Sequence, residues 1–336
     1  MAVRLKDIAQ DLGVSTVTVS KVLRGNADIG ERTRARVLRR MQELNYQPNM
    51  QARGLASGRS FAIGLVVPDL VNPFFGEFAK SLAGALRASG LALVVASSED
   101  DAQVEQQEIR TLLNRGVDVL VIASCQPQGI KSLIADRIAT PTLLIDRNIP
   151  ALRTSYVGCN DVLAGEMATR HLIGIGRKRI AHIGGRGTSP SVDRLKGFRS
   201  TLAAAGIKLP KNYVVTCERF EETGDVAGYH AMQELLACKQ RPDAVFCYND
   251  LTAIGAMQAA MQAGLRIPQD IAFVGCGNLR YAEYLKVPLS SIDHSTERLG
   301  ERAAAQAIEL SEHPKRPSRS VILEPKLIVR RSTVAS

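Results

Sequence analysis

The stretch LKDIAQDLGVSTVTVSKVLR, residues 5–24, sets two short amphipathic segments on either side of a glycine. Leu5, Ile8, Ala9 and Leu12 recur at i, i+3, i+4 and i+7, one apolar stripe along a helix, and Gly13 supplies the backbone freedom that ends it. Val14 plugs the turn, and Ser15 is placed to cap a second helix. In that helix Val19, Val22 and Leu23 turn back toward the first, while Thr16, Val17, Ser20, Lys21 and Arg24 lie mainly on the other side. The pattern predicts a helix-turn-helix, whose second helix is shaped to enter a DNA groove. Two ordinary core helices would share this amphipathicity, so the distinction rests on what surrounds them.

Charge makes that distinction. Residues 1–60 hold eleven Lys and Arg against five Asp and Glu, a net of +6, whereas the other 276 residues carry only +4 of the total +10. A basic excess gathered in the smallest part of a chain is what phosphate neutralisation needs, and it predicts salt-sensitive binding. Trp is absent and aromatics total 4%, which leaves no stacking platform for single strands and favours duplex DNA. A third helix is expected over 31–44, with Val37, Leu38, Met41 and Leu44 inward. Its Arg32, Arg36, Arg39 and Arg40 point largely outward, either to phosphates or to solvent. Tyr46, Gln47 and Pro48 break it.

Residues 49–60, NMQARGLASGRS, permit barely two turns between an Asn49 cap and Gly58. So short a helix is unstable alone in water. It is read either as a plain linker or as a segment that orders against DNA and a second copy of itself, with Arg53 and Leu55 as the residues of interest.

From Phe61 the pattern changes to short β-branched runs alternating with amphipathic helices, the mark of parallel βαβ units. Strands are expected at 61–67, 91–97, 118–122 and 142–145, then at 179–184, 213–216, 243–248 and 271–275. A return strand near 289–292, a helix at 295–312 and strands at 320–324 and 326–330 follow. The expected fold is an all-α helix-turn-helix module (1–48), a hinge or linker (49–60) and an α/β core (61–336) of two parallel-sheet subdomains. The first subdomain is expected from about 61–160 and 290–318, the second from about 161–289 and 319–336.

Ligands of open parallel sheets bind beyond the carboxyl ends of the strands. After the first expected strand come Asp69, Asn72, Pro73, Phe74 and Phe75; after the fourth, Asp146 and Arg147; in the second series, Arg186, Thr188, Asn249, Asp250 and Asn278, with Arg194 in RLKGF. Such a set suits a polyhydroxylated or anionic small molecule. Several have structural readings too. Asn72 before Pro73 reads better as a helix cap than as a ligand contact, and Phe74 serves equally as core or as a stacking surface. Asp250 reads as a cap, which leaves Asn249 as the ligand candidate of the two. Arg194 and Asp146 resist a structural reading, short of an ion pair between helix and loop.

Catalytic and metal signatures are missing. GGRG (184–187) lacks the Lys-Ser/Thr ending of a P-loop, and neither G-x-S-x-G nor H-E-x-x-H occurs. The five histidines form no constellation with a nucleophile, and the six cysteines form no C-x-x-C pair, so they read as reduced, mostly buried thiols. No catalytic residue, metal or cofactor is expected. No stretch reaches the length of a membrane span and the chain opens without a hydrophobic leader, from which a cytoplasmic, nucleoid-associated protein is expected.

The chain resembles the LacI/GalR family of bacterial transcriptional regulators over about residues 3–331, through LKDIAQDLGVSTVTVSKVL, ERTRARVLRRMQELNYQPN, ARGL, IGLVVPDLVNPFF, DRNIP, RLKGF, YNDLTAIGAM and PLSSID in that order. The resemblance implies a homodimer with a type I periplasmic-binding-protein-like core and no enzymatic activity. It implies a helix-turn-helix in the major groove of each half of a pseudopalindromic operator, with hinge helices in the central minor groove. Thr16, Val17 and Lys21 match the family's base-reading positions, and Ser15, Thr18 and Ser20 its supporting backbone contacts. Asn49 and Arg53 belong to the DNA-contacting hinge, Leu55 matches the leucine wedged into a base step, and Ala52 the small residue that lets two hinges approach. Phe74, Asp146, Arg147, Arg194 and Asn249 match effector positions, with Asn278 beside them. One departure matters: where many sugar-binding members carry V-G-F/Y-D-D, this chain has Val274, Gly275, Cys276, Gly277 and Asn278, which removes a usual hydroxyl acceptor. The effector is thus a sugar, a sugar acid or a sugar phosphate, and it either releases the protein from DNA or promotes binding. Gly30 also replaces a frequent serine cap. The rival classes are a solute-binding protein, opposed by the basic head, and a sugar-processing enzyme.

Overall fold

Three helices with one shared seam form the first unit, and two six-stranded sheets form the second; the division falls between Ser60 and Phe61. A computed structural model of the protein describes residues 3–23, 26–46, 58–126, 139–217 and 224–334.

In the first unit α1 (Leu5–Leu12) ends where Gly13 turns left-handed at φ +62°, a conformation glycine adopts at no steric cost. The N–H of Val14 then reaches back to the carbonyl of Ala9 at 3.0 Å, and α2 (Thr16–Leu23) starts two residues on. With α3 (Glu31–Glu43) these helices bury Ile8, Ala9, Val19, Val22, Val37 and Met41, the stripes expected from the sequence. Leu38 departs from expectation. It is 45% exposed, because two eight-residue helices cover only the seam through Val37, Met41 and Leu44, and position 38 sits one residue off it. Three of the outward arginines are engaged within the unit: Arg36 donates to the carbonyl of Leu12 at 3.1 Å, Arg39 pairs with Glu43 at 3.0 Å, and Arg40 pairs with Asp11 at 2.6 Å and with Glu43 at 3.0 Å.

The second unit has two lobes. The first sheet contains β1 (Ala62–Val67), β2 (Ala92–Ser97), β3 (Val119–Ile122), β4 (Thr142–Ile145), β5 (Ser155–Cys159) and β11 (Ser320–Leu323) in the order β11-β5-β4-β3-β1-β2, all parallel. The second contains β6 (Ile180–Gly184), β7 (Val214–Thr216), β8 (Ala244–Cys247), β9 (Ala272–Cys276), β10 (Ser290–Asp293) and β12 (Lys326–Ile328) in the order β12-β10-β9-β8-β6-β7, with only β12 antiparallel. The strands with helices on both faces are continuous apolar runs, as burial on two sides requires.

Two strands lie in the opposite lobe to the one expected. The return strand near 289–292 belongs to the second sheet, hydrogen-bonded to β9, and the strand at 320–324 belongs to the first, beside β5. The chain passes between lobes three times, after β5, after β10 and after β11, each time within a few residues. Of these short crossings only the last holds a proline, Pro325, which marks the end of a strand without naming a lobe, and both sheets accept the same residue types, so lobe membership is invisible in the pattern.

Helices bind each sheet. In the first lobe α4 (Pro73–Ala88) packs on α10 (Thr296–Glu312), around Phe78, Leu82, Leu299 and Ala303. In the second lobe α6 (Asp161–Gly174) and α7 (Ser189–Ala204) approach so closely that a Cβ on Gly165 would strike the Arg194 carbonyl and one on Gly197 the Val162 carbonyl. Beneath them His182 is fully buried, stacked 5.2 Å from the Phe198 ring and 5.0 Å from Phe246. Its Nδ1–H donates to the Phe246 carbonyl at 2.9 Å while Nε2 has no partner.

Burial pushes the His182 imidazole down to about 3. The unfolded chain therefore binds a proton below the ordinary value of about 6.5 that the folded state refuses, and stability is lost as pH falls through that window. Relative to His182→Phe, the wild type should lose about 2 kcal/mol between about pH 7 and pH 5 in urea titrations. Asp161 and Asp250, whose raised values act in the opposite sense, cancel in this comparison. A constant gap between the two proteins would contradict the assignment.

Candidate functional site

The outer face of α2 is prepared locally. Ser15 Oγ accepts the Thr18 N–H at 3.0 Å and lies 2.9 Å from the Thr18 hydroxyl, so both residues serve the cap, as expected of Ser15. Thr16 and Val17 stand at the tip, with Val17 59% exposed, and Lys21 follows one turn later. Lys21 is ion-paired with Asp28 of the α2–α3 turn. Ser20 is half-buried. Arg24 and the hinge residues Asn49, Ala52, Arg53 and Leu55 lie outside the described residues.

In the second unit a cleft of about 820 Å³ opens at the carboxyl ends of the strands of both sheets. Phe74, Asp146, Arg147, Arg194 and Asn249 all line it; Asn278 does not. The Asn278 side chain turns away to accept from Arg330 at 2.8 Å, and its N–H donates to Ser291 Oγ. Asn72 caps α4, accepting the Phe74 N–H at 3.1 Å, with Pro73 in the first turn. Phe74 combines both expected roles: it packs on the first core, edge-on to Phe75, and its ring stands 6.3 Å from that of His294 at the cleft wall.

The cap of the helix from Asp250 is Asn249, not Asp250 as expected, although Asn249 also lines the cleft. Asn249 caps α9 (Asp250–Gln262), accepting the Thr252 N–H at 2.8 Å. Asp250 is fully buried and holds the loop after β9, accepting from Ser291 at 2.6 Å and from the Leu279 N–H at 2.7 Å. The residue before a helix has the extended backbone that aims its side chain at the first turn, and position 249 has it.

Arg194 is the hub. The close approach of α6 and α7 brings its Nε to Asp161 at 2.8 Å; one terminal nitrogen donates to the Tyr248 carbonyl at 2.7 Å, and the guanidinium lies 5.1 Å over the Tyr248 ring. The ion pair weighed from the sequence exists, with both side chains 5% exposed. Burial pushes Asp161 up to about 6 against the pull of Arg194, and burial also raises Asp250 to about 6. Burial, then Arg194, holds His294 well below its ordinary value; its neutral Nε2 lies 3.1 Å from the Cys276 thiol, which burial pushes up to about 12.

Across the cleft mouth Asp100 joins the lobes, 3.1 Å from Arg147 on its own side and 3.5 Å from Arg186 on the other. The Asn148 N–H donates to Ser189 across the same gap at 2.7 Å. Asp146 differs from all of these. Burial raises its carboxyl against the pull of Arg194 and then Arg147, and no described residue donates a hydrogen bond to it. Asp161, His294 and Asp100 are not among the expected site residues: β5 is not among the expected strands, and the candidates named include none from the ends of β2 and β10. GGRG serves packing: a Cβ on Gly185 would press into the Tyr248 ring. Among the described residues no cluster of His, Cys, Asp and Glu is arranged for a metal, and no helix is long and apolar enough to cross a membrane.

A helix-turn-helix head and a two-lobed core with a polar cleft define a DNA-binding regulator with an effector-binding domain. The comparisons agree: residues 4–49 match the family described as bacterial regulatory proteins, lacI family, and residues 169–333 match a periplasmic binding protein-like domain. The chain is 35% identical over 329 residues to the ribose operon repressor of Haemophilus influenzae, covering 98% of each. It is similar to the solved CelR–cellobiose complex at 28% identity and a TM-score of 0.72, covering 98% of this chain and 99% of that one. The fold is shared with the lac repressor dimer bound to operator and an anti-inducer, at 24% identity, a TM-score of 0.85 and full coverage of both chains. The chain belongs to the lacI family; it is a DNA-binding repressor with an effector-binding core, and its relatives are repressors, not enzymes.

Truncating Arg194 affects more than the site. Arg194→Ala strands the buried Asp161 carboxylate and should cost the core about 3–5 kcal/mol in urea unfolding. Adding Asp161→Asn should recover much of that loss. Full stability of the single variant would contradict the structural half of its role.

Proposed function

We propose that the protein acts in the cytoplasm as a homodimer on a pseudopalindromic operator, and that its effector is an uncharged, polyhydroxylated small molecule of the sugar class. Thr16, Val17 and Lys21 read bases, supported by Ser15, Thr18 and Ser20, while Asn49, Ala52, Arg53 and Leu55 form the DNA-contacting hinge. Phe74, Asp146, Arg147, Arg194 and Asn249 face the effector.

The charge balance of the cleft carries the choice of effector. Arg194 is matched by Asp161, and Arg147 and Arg186 share Asp100, so each cleft guanidinium already faces a carboxylate, although Arg147 Nε keeps no hydrogen-bond partner among the described residues. The Asp146 carboxylate, in contrast, has no hydrogen-bond donor among the described residues, and hydroxyl groups supply donors without charge. Phe74 and Tyr248 put aromatic carbon on the cleft wall, which suits the apolar face of a sugar ring. Two of the relatives fit this choice, a ribose operon repressor and a regulator bound to cellobiose, whereas PurR repressors of comparable identity do not bear on a sugar.

Thermal unfolding of the full-length protein against neutral sugars and polyols, sugar acids and sugar phosphates tests the choice. A neutral sugar at roughly a hundred times its Kd should stabilise by about 2.7 kcal/mol, a rise of roughly 5–10 °C, and Asp146→Asn should abolish the shift. Stabilisation by sugar acids or phosphates alone would overturn this reading.

A further inference from the structure

Lys21 is the sole charged residue of α2, and it shares a helix face with Val17, four residues before it. Its ammonium is not free to search for DNA, because Asp28 in the α2–α3 turn pairs with it. The core does not need this pair: the two side chains are 37% and 52% exposed, and no apolar neighbour depends on them. Other acids of the unit have different work. Asp11 and Glu43 hold Arg40, and Asp7 caps α1 through the Arg4 N–H. Asp28 alone among the described acids of this unit takes its partner from the groove-facing helix, in a unit whose net charge is otherwise shaped to attract phosphate.

A bare ammonium on that face would bind the backbone of any duplex, since phosphate contacts carry no sequence information. A carboxylate beside it changes the competition. The lysine then leaves its partner only where a base edge offers matched acceptors, as guanine O6 and N7 do, and elsewhere the carboxylate adds repulsion from phosphate. We infer that Asp28 is a specificity-determining residue: by holding Lys21 off the DNA backbone it suppresses binding to non-operator duplex. This rests on α2 being the base-reading helix.

The test uses full-length wild type, Asp28→Asn, Lys21→Gln and the double variant, with fluorescence anisotropy on a random-sequence duplex and on a duplex that the wild type selects from a random pool, over a range of KCl. Asp28→Asn should tighten binding to the random duplex and steepen its log affinity against log salt by about 0.9 per head. A fourfold rise in salt then costs roughly threefold more affinity per head than in wild type. Affinity for the selected duplex should rise less, so selectivity falls, and in the Lys21→Gln background the slope should not respond to Asp28→Asn. An unchanged slope, or the same response with and without Lys21, overturns the proposal. If Lys21→Gln alters binding to neither duplex, the assignment of α2 as the reading helix is what has failed.

Discussion

The buried pair between Arg194 and Asp161 is the interaction on which the cleft depends. Two charges out of water are tolerable only with near-ideal geometry and with their remaining hydrogen-bonding capacity met. Here the geometry follows from two glycines: Gly165 and Gly197 let α6 and α7 close until backbone carbonyls occupy the space a methyl group would need. That approach sets the guanidinium against the carboxylate at 2.8 Å, and the Tyr248 carbonyl and ring engage the rest of it. The floor of the site is thus built by helix packing several residues away.

A cleft built from matched charges behaves differently from one with a free cation. Asp100 ties Arg147 of one lobe to Arg186 of the other, so the mouth is bridged by an ion pair that weakens as the lobes separate. On the proposed function, a ligand that fills the cleft works with or against this bridge, and a difference in its affinity for two lobe arrangements would couple it to DNA. The acceptor position left open by Gly277 lies near the buried Asp250, which is committed to Ser291 and Leu279, and Asp146 carries the unmatched carboxylate.

Much of this was legible from the sequence. Periodicity located the three head helices and nearly every strand to within a residue or two, because apolar stripes and β-branched runs are local consequences of burial. Strand-end reasoning found Phe74, Asp146, Arg147, Arg194 and Asn249 in one cleft. What failed was non-local. The lobes of the strands at 290–293 and 320–323 depend on crossings of a few residues that leave no compositional trace. That Asn249 and not Asp250 caps α9 turns on one backbone conformation, and the retreat of Asn278 on an arginine 52 residues away. The partnership of Lys21 with Asp28 spans seven residues across a turn, a distance at which sequence spacing alone does not reveal contact.

On the proposed function, occupancy of the cleft and grip on DNA are one equilibrium. The direct measurement is the affinity of the full-length protein for its selected duplex, with and without a saturating ligand of the core, in wild type and in Asp146→Asn. The account predicts a change of about tenfold or more in wild type, a coupling of roughly 1.4 kcal/mol, and none in the variant, whose ligand-free DNA affinity stays normal. A wild-type affinity indifferent to saturating ligand would contradict it.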